Sequence, residues 1–293
     1  MNLINFYFDS TKLTNFVMIP PNSLIKGDCL DILPYIDDNS VNLILCDLPY
    51  ATTDCAWDSL IPFDKLWKEY NRILVKNGTV ILTASQPFTT DVINSQRNLF
   101  KYELIWIKNH STGFQHAKNR PLKIHEDVLV FSKGAANHVS LSKDMRMTYN
   151  PQGVNKISIP KKYNGKNTFV GILGSSPSHK KEMFTEFENY PENVIYFEMD
   201  SDSWHPTQKP VALFSYLINT YSNEGDLVVD NCGGSFTSAI ACQNTNRSFV
   251  CIEQDEKYFI RGVERVRNNI PAFGNQNVIV IENLFEYLMN INS

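Results

Sequence analysis

The sequence predicts an α/β fold: a mostly parallel sheet with helices on both faces, interrupted by an irregular basic insert. Three observations carry this. Short apolar runs ending in an acid or a turn, such as Asn42–Cys46, Gly225–Asp230 and Ser248–Glu253, read as buried strands. Helix-length segments with apolar residues three and four apart alternate with them, the pattern of a parallel sheet. One stretch, Lys133 to Lys181, departs from both patterns: it holds nine lysines or arginines and one acid, Asp144.

The totals set the frame. A chain of 293 residues fits one large α/β domain with insertions, or one domain plus a small accessory lobe. At 43% hydrophobic it can bury a sizeable core, which excludes global disorder. Net charge is −4 and the pI about 5.9, so a nucleic-acid binder of this composition must gather its basic residues locally. The six cysteines (Cys29, Cys46, Cys55, Cys232, Cys242, Cys251) form no Cys-x-x-Cys pair. Several lie in apolar runs, which points to free thiols in a reducing, cytoplasmic setting and to no metal site. No apolar run is long enough to span a membrane, and the N-terminus, with Asp9 and Lys12, does not read as a signal peptide.

In chain order, residues 1–22 are an aromatic, polar arm ending in Pro20-Pro21. Leu24 onward reads as a short strand, a turn at Gly27-Asp28 and a helix start, for which either Asp28 or Asp31 suits the cap. Asn42–Cys46 is a strand stopped by Pro49. The polar loop Ala51–Trp57 reads either as a capped, partly buried loop or as a flap. Pro62–Leu74 is a helix whose stripe Phe63, Leu66, Trp67, Tyr70, Ile73 and Leu74 faces a core. Strands are expected at Thr79–Thr83, Glu103–Lys108 and Asp127–Phe131, with a helix over Phe88–Phe100. Asn109–Lys123 is a loop carrying Lys118, Arg120 and Lys123 and no acid; for Lys108 and His125 beside it, structural and catalytic readings stay open. Val211–Tyr221 is a helix, with Pro210 in its first turn and Thr207 as a candidate cap. Gly225–Ala241 is a strand, a Gly-rich turn and a helix, and Tyr258–Asn268 a further helix. Val278–Ile281 is a short strand or an extended tail, and Leu284–Met289 a final apolar turn.

Two constellations carry chemistry. Where the strand Asn42–Cys46 meets its loop, Asp47 supplies a carboxylate, Leu48 a backbone carbonyl and Tyr50 a flat face. Open α/β sheets bind ligands at that edge. A planar base with an exocyclic amine fits this set: the two oxygens accept the amine hydrogens and the ring stacks on Tyr50. The second constellation is the turn Asp230-Asn231-Cys232-Gly233-Gly234-Ser235-Phe236-Thr237, followed 23 positions after Asp230 by Glu253 at the tip of the next strand. Glycines admit close backbone approach, helix amides favour a carboxylate, and an acid at that distance suits ribose hydroxyls, so the unit reads as a nucleoside-type cofactor site. In the basic stretch, Tyr149, Tyr163 and Phe169 interleave with Lys143, Arg146, Lys156, Lys161, Lys162 and Lys166, a composition suited to nucleic-acid backbone contact and stacking.

Asp47-Leu48-Pro49-Tyr50 resembles the Asp/Asn/Ser-Pro-Pro-Tyr motif of the DNA amino-methyltransferases, with Leu48 in place of the first proline. Four further segments are similar to that family in the same order. They are Gly27-Asp28-Cys29, Trp106-Ile-Lys-Asn109 with His125-Glu126, the string His205-Pro206-Thr207-Gln208-Lys209-Pro210, and the turn at Asp230. The resemblance covers about residues 23–270, and its motif order is that of the circularly permuted β group. It implies a Rossmann-like methyltransferase sheet and S-adenosylmethionine as cofactor. Asp28, Cys29, His205, Thr207, Gln208, Lys209 and Pro210 then join Asp230–Thr237 and Glu253 at the cofactor. Asp47, Leu48, Pro49 and Tyr50 become catalytic. Lys108, Lys118, Arg120 and Lys123, with the basic residues of the insert, contact double-stranded DNA. The expected divisions are an arm (1–22), a catalytic half (23–133), a target-recognition insert (134–203), a cofactor half (204–270) and an extension (271–293). Asp at the head of the motif implies N6 of adenine as the methylated atom. N4 of cytosine is the alternative, and a DNA-binding module with decayed activity, or an RNA or protein methyltransferase, the readings from other classes. A second copy of the chain and a cognate restriction endonuclease are further expected partners. The family turn carries Gly where this chain has Phe236. A bulky residue with positive φ there carries about 1–3 kcal/mol of strain, which predicts a rearranged turn or weaker cofactor binding.

Overall fold

The computed structural model of the chain describes residues 19–50, 59–136, 142–163, 183–201, 203–271, 273–274 and 276–291. The elements run β1 (Ser23–Lys26), α1 (Cys29–Ile32), β2 (Val41–Cys46), α2 (Phe63–Ile73), β3 (Leu74–Ala84), α3 (Phe88–Ser95), β4 (Phe100–Thr112) and β5 (Lys123–Ser132). There follow β6 (Asn155–Tyr163), β7 (Met183–Glu188), β8 (Val194–Tyr196), α4 (Val211–Tyr221) and β9 (Leu227–Asp230). The last are α5 (Thr237–Asn244), β10 (Ser248–Glu253), α6 (Glu256–Arg267), β11 (Ile279–Ile281) and α7 (Leu284–Ile291).

A nine-stranded sheet has the order β11-β1-β10-β9-β2-β3-β5-β4-β8. From β11 to β3 every neighbouring pair is parallel. The β3–β5 and β5–β4 pairs are antiparallel, because β4 and β5 form a hairpin that needs no crossover helix. That hairpin is longer than the apolar runs inside it, and the helix before it stops at Ser95, short of the expected Phe100.

Side chains alternate across the sheet as a period of two demands. Leu43 and Leu45 of β2 pack with α4, α5 and α6 on one face. Ile44 and Cys46 pack with α1, α2 and α3 on the other. On α2, Leu66, Trp67, Tyr70 and Ile73 are buried, as their spacing predicts. The chain winds from β2 through α2 to β3 in one direction, and from β9 through α5 to β10 in the other. Since β2 and β9 are neighbours, their carboxyl ends open onto a crevice at a topological switch point.

Within 134–203, β6 and β7 form a separate two-stranded sheet. Other described parts of that stretch join the body: β8 pairs in parallel with β4, and Met147 and Ile195 lie in the core. Thr207 does not cap α4. Its N-cap is Pro210, and Asp200 accepts the Val211 N–H at 3.2 Å instead. No helix among the described residues is long and apolar enough to cross a membrane.

Phe236 precedes α5 at φ 55°, ψ 37°, the left-handed conformation that favours glycine. Its ring is fully buried edge-on to Phe259, at 5.9 Å between centroids. Two glycines make the slot: a Cβ on Gly262 would lie 2.6 Å from the ring, and one on Gly233 would overlap it. Packing of the ring, worth about 3–5 kcal/mol, exceeds the backbone strain of about 1–3 kcal/mol. Phe236→Gly therefore destabilises the fold by about 2 kcal/mol in urea denaturation; a stability gain would show that strain dominates.

Candidate functional site

The carboxyl ends of four parallel strands converge on a cavity of about 300 Å³. β1 delivers Gly27-Asp28-Cys29, β2 delivers Asp47, β9 delivers Asp230 to Gly234, and β10 delivers Glu253. His205, Thr207, Gln208, Lys209, Ser235, Thr237 and Tyr258 complete most of the wall. Of the sixteen residues expected at a cofactor, Pro210 and Phe236 do not line this cavity; Phe236 turns into the core instead.

The turn is braced from every side. Asp230 accepts from Ser238 Oγ at 2.5 Å and from the Cys232 N–H at 3.1 Å. Its burial pushes the carboxyl up to about 6. Glu253 Oε2 accepts from the Gly234 N–H and Oε1 from the Asp255 N–H, both at 2.7 Å, and burial raises its pKa as well. Arg265 of α6 donates to Ser235 O and Thr237 Oγ1, each at 3.0 Å. Tyr70 bonds Asn231 Oδ1, whose amide nitrogen lies 3.6 Å from Cys29 Sγ and 3.4 Å from Cys232 Sγ. Gly234, at φ +51°, faces the His205 ring. That ring stacks edge-on to Tyr258 at 4.3 Å, and burial pushes the imidazole down to about 4. Asp28 caps α1 by accepting the Leu30 N–H at 2.8 Å and lines the cavity too, so its two expected roles coincide in position.

A second cavity, of about 240 Å³, adjoins the first. It is lined by Leu48, Tyr50, Trp106, Lys108, Glu126 and Met199 among others; Asp47, Pro49, Thr207, Gln208 and Lys209 line both cavities. One face of the Tyr50 ring is stacked on Phe88, 4.8 Å between centroids. Leu48 is 3% exposed and packs in the core, so burial anchors the position where the family motif has proline.

At the junction lies a chain of charges. Asp47 Oδ1 accepts from Tyr50 Oη at 2.9 Å and from Thr83 Oγ1; its Oδ2 takes Lys209 Nζ at 2.5 Å. Lys209 is also 3.5 Å from Glu126 Oε2, and Lys108 pairs with Glu126 Oε1. Burial works against charge on Lys209, yet Asp47 and Glu126 hold its pKa above the ordinary lysine value. Burial likewise opposes charge on Glu126, but Lys209 and Lys108 hold its carboxyl below the usual range.

Lys108, expected among the DNA contacts, is thus committed to this network and only 13% exposed. His125 stands outside both cavities, half-exposed and 3.9 Å from Asp127. Lys118, Arg120 and Lys156 are exposed, Lys123 is half-buried and Arg146 lies next to the Ala135 bridge. Lys161 and Lys162 lie on β6, and Lys143 begins a short 3-10 turn. Lys166 and the loop through Trp57 lie outside the described residues. Sequence reasoning missed Thr83, Glu126 and Arg265 as members of the site. Glu126 carried a faint signal: an acid placed just before the apolar run of β5.

The family model of the N6/N4 DNA methylases matches residues 41–262. Type II methyltransferase M.HpaI of Haemophilus parainfluenzae is 27% identical over 261 residues, 85% of this chain and 76% of that protein. DNA adenine methyltransferase YhdJ of Escherichia coli K12 is 30% identical over 267 residues, 83% of this chain and 82% of that protein. The crystal structure of the M1.HpyAVI–SAM complex shares the fold, with a TM-score of 0.55 at 22% identity over 83% of this chain and 99% of that one. The first cavity suits S-adenosylmethionine. Its buried carboxylates face a cationic nucleoside ligand, and the left-handed Gly234 leaves the turn without a side chain against His205. The chain belongs to the N6/N4 DNA methylase family, with S-adenosylmethionine as its cofactor and DNA as its substrate.

Proposed function

We propose that the protein methylates N6 of adenine in double-stranded DNA. The observation that carries this is the position of Asp47: its carboxylate stands where the two cavities meet, fixed by Thr83, Tyr50 and Lys209. The first cavity holds the cofactor through the turn Asp230–Thr237, Glu253, Asp28 and His205, with His205 uncharged at neutral pH. S-adenosylmethionine supplies an electrophilic methyl group on a sulfonium, for which an amine is a competent nucleophile. The second cavity receives the base, which must leave the duplex stack for its amine to be reached. Asp47 and the Leu48 carbonyl accept the two amine hydrogens and turn the nitrogen lone pair toward the first cavity. Tyr50 offers the face not covered by Phe88. Catalysis is then positioning and electrostatics, with no covalent enzyme intermediate.

Adenine is supported by the aspartate heading the motif and by the activity named for YhdJ. The loop with exposed Lys118 and Arg120 and the strand β6 with exposed Lys156 make up the proposed DNA-facing surface. Its charge stands against a chain of net charge −4.

Nucleosides from unmethylated DNA incubated with protein and S-adenosylmethionine will contain N6-methyladenine by mass spectrometry. N4-methylcytosine in its place would move the assignment to cytosine, and neither product would refute the activity. Asp47→Ala will lower kcat by about 10²–10³-fold with cofactor affinity retained in calorimetry.

The charge chain makes two further predictions. Lys209→Met leaves Asp47 and Glu126 without their shared cation, and unfolding free energy will fall by about 3–5 kcal/mol. Glu126 has a depressed pKa, so its contribution is present above the unfolded carboxylate value of about 4.3 and is lost as pH falls through the lower folded value. Glu126→Gln will flatten that acid limb of the stability–pH curve.

A further inference from the structure

Gln208 is 3% exposed, and neither end of its side-chain amide has a hydrogen-bond partner. Among the described residues no other side chain has two buried polar atoms left unpaired. Its backbone is held, with the N–H donating to His205 O at 3.1 Å. Gln208 lines both cavities beside Lys209, which reaches Asp47; its amide is sealed from solvent, and a turn about the side-chain torsions would bring it to the wall they share. A buried polar group left unpaired costs about 1–3 kcal/mol, and a ligand that pairs with it recovers that cost.

The second cavity needs such a group. An amine held by Asp47 and the Leu48 carbonyl stands beside a ring nitrogen, N1 in adenine or N3 in cytosine, which accepts a hydrogen bond. The other donors around this cavity are committed. Tyr50 Oη bonds Asp47, Trp106 Nε1 bonds Phe197 O at 2.9 Å, Lys108 pairs with Glu126, and Lys209 bridges Asp47 and Glu126. Thr112 Oγ1 lies 3.4 Å from Lys123 O, Thr207 Oγ1 lies 3.3 Å from His205 Nδ1, and His110 is exposed.

We propose that Gln208 is a residue that orients the flipped base, its amide N–H donating to the ring nitrogen next to the methylated amine. This rests on the proposed function above. A half-turn of the amide presents the donor from either end, so the contact does not depend on how its oxygen and nitrogen are assigned. Guanine and thymine carry N–H beside their exocyclic oxygen, which the same half-turn would meet with the amide oxygen. Selection of amino bases against oxo bases therefore falls to Asp47, and Gln208 fixes the orientation of the ring.

The test is a cycle on an oligonucleotide duplex holding one methylation site, with adenine or 1-deaza-adenine at the target. Gln208→Leu will lower kcat/KM on the adenine duplex by about 10-fold or more. The analogue will lower wild-type kcat/KM by a similar factor, and the variant on the analogue will show little further loss. Calorimetric affinity for S-adenosylmethionine will change less than 2-fold, and the melting temperature will hold or rise, because the amide has no partner in the folded chain to lose. Losses that multiply, or a tenfold weaker cofactor affinity, would overturn the role of Gln208 while leaving the methyltransferase reading intact. Wild-type protein that methylates neither base would overturn both. If the product is N4-methylcytosine, 3-deazacytosine takes the analogue's place with the same expected outcomes.

Discussion

A single buried ammonium sets the architecture of this site. Lys209 is 7% exposed, and it can stay charged at that depth only beside opposite charge. It finds Asp47, 162 positions earlier in the chain, and Glu126 on the neighbouring hairpin. The segment from His205 to Pro210 therefore sits where those two carboxylates converge, and it becomes the partition between the two cavities.

Much of this was legible before the structure. The strands β2, β9 and β10 are continuous apolar runs ending in Asp47, Asp230 and Glu253. In a parallel sheet such ends share one edge. The glycine turn followed by an acid was readable for the same reason: its spacing is a property of one strand-helix-strand unit. Fourteen of the sixteen expected cofactor residues line one cavity.

What stayed hidden is contact between segments far apart. Thr83 and Glu126 lie in strands that look like ordinary core; the pairing of β2 with β3 sets Thr83 beside Asp47, and the pairing of β3 with β5 carries Glu126 to Lys209. Lys108 reads as a surface lysine at a strand end until Glu126 is placed opposite it. Phe236 is the converse case. Its positive φ was inferable from the glycine it replaces, whereas the slot that accepts its ring is built by Gly233 and by Gly262 on another helix. Local pattern reports local geometry, and charge pairing and ring packing are non-local.

The strand order also governs how the molecule is made. Among the described residues β1 and β2 are the first two strands in the chain, yet β10 and β9 lie between them in the finished sheet. The native partners of the facing edges of β1 and β2 therefore come late in the chain, after the whole basic insert. Such edges are templates for wrong pairing while they wait. The crevice that later serves chemistry begins as a vacancy in an unfinished sheet, and two late strands, β9 and β10, close it.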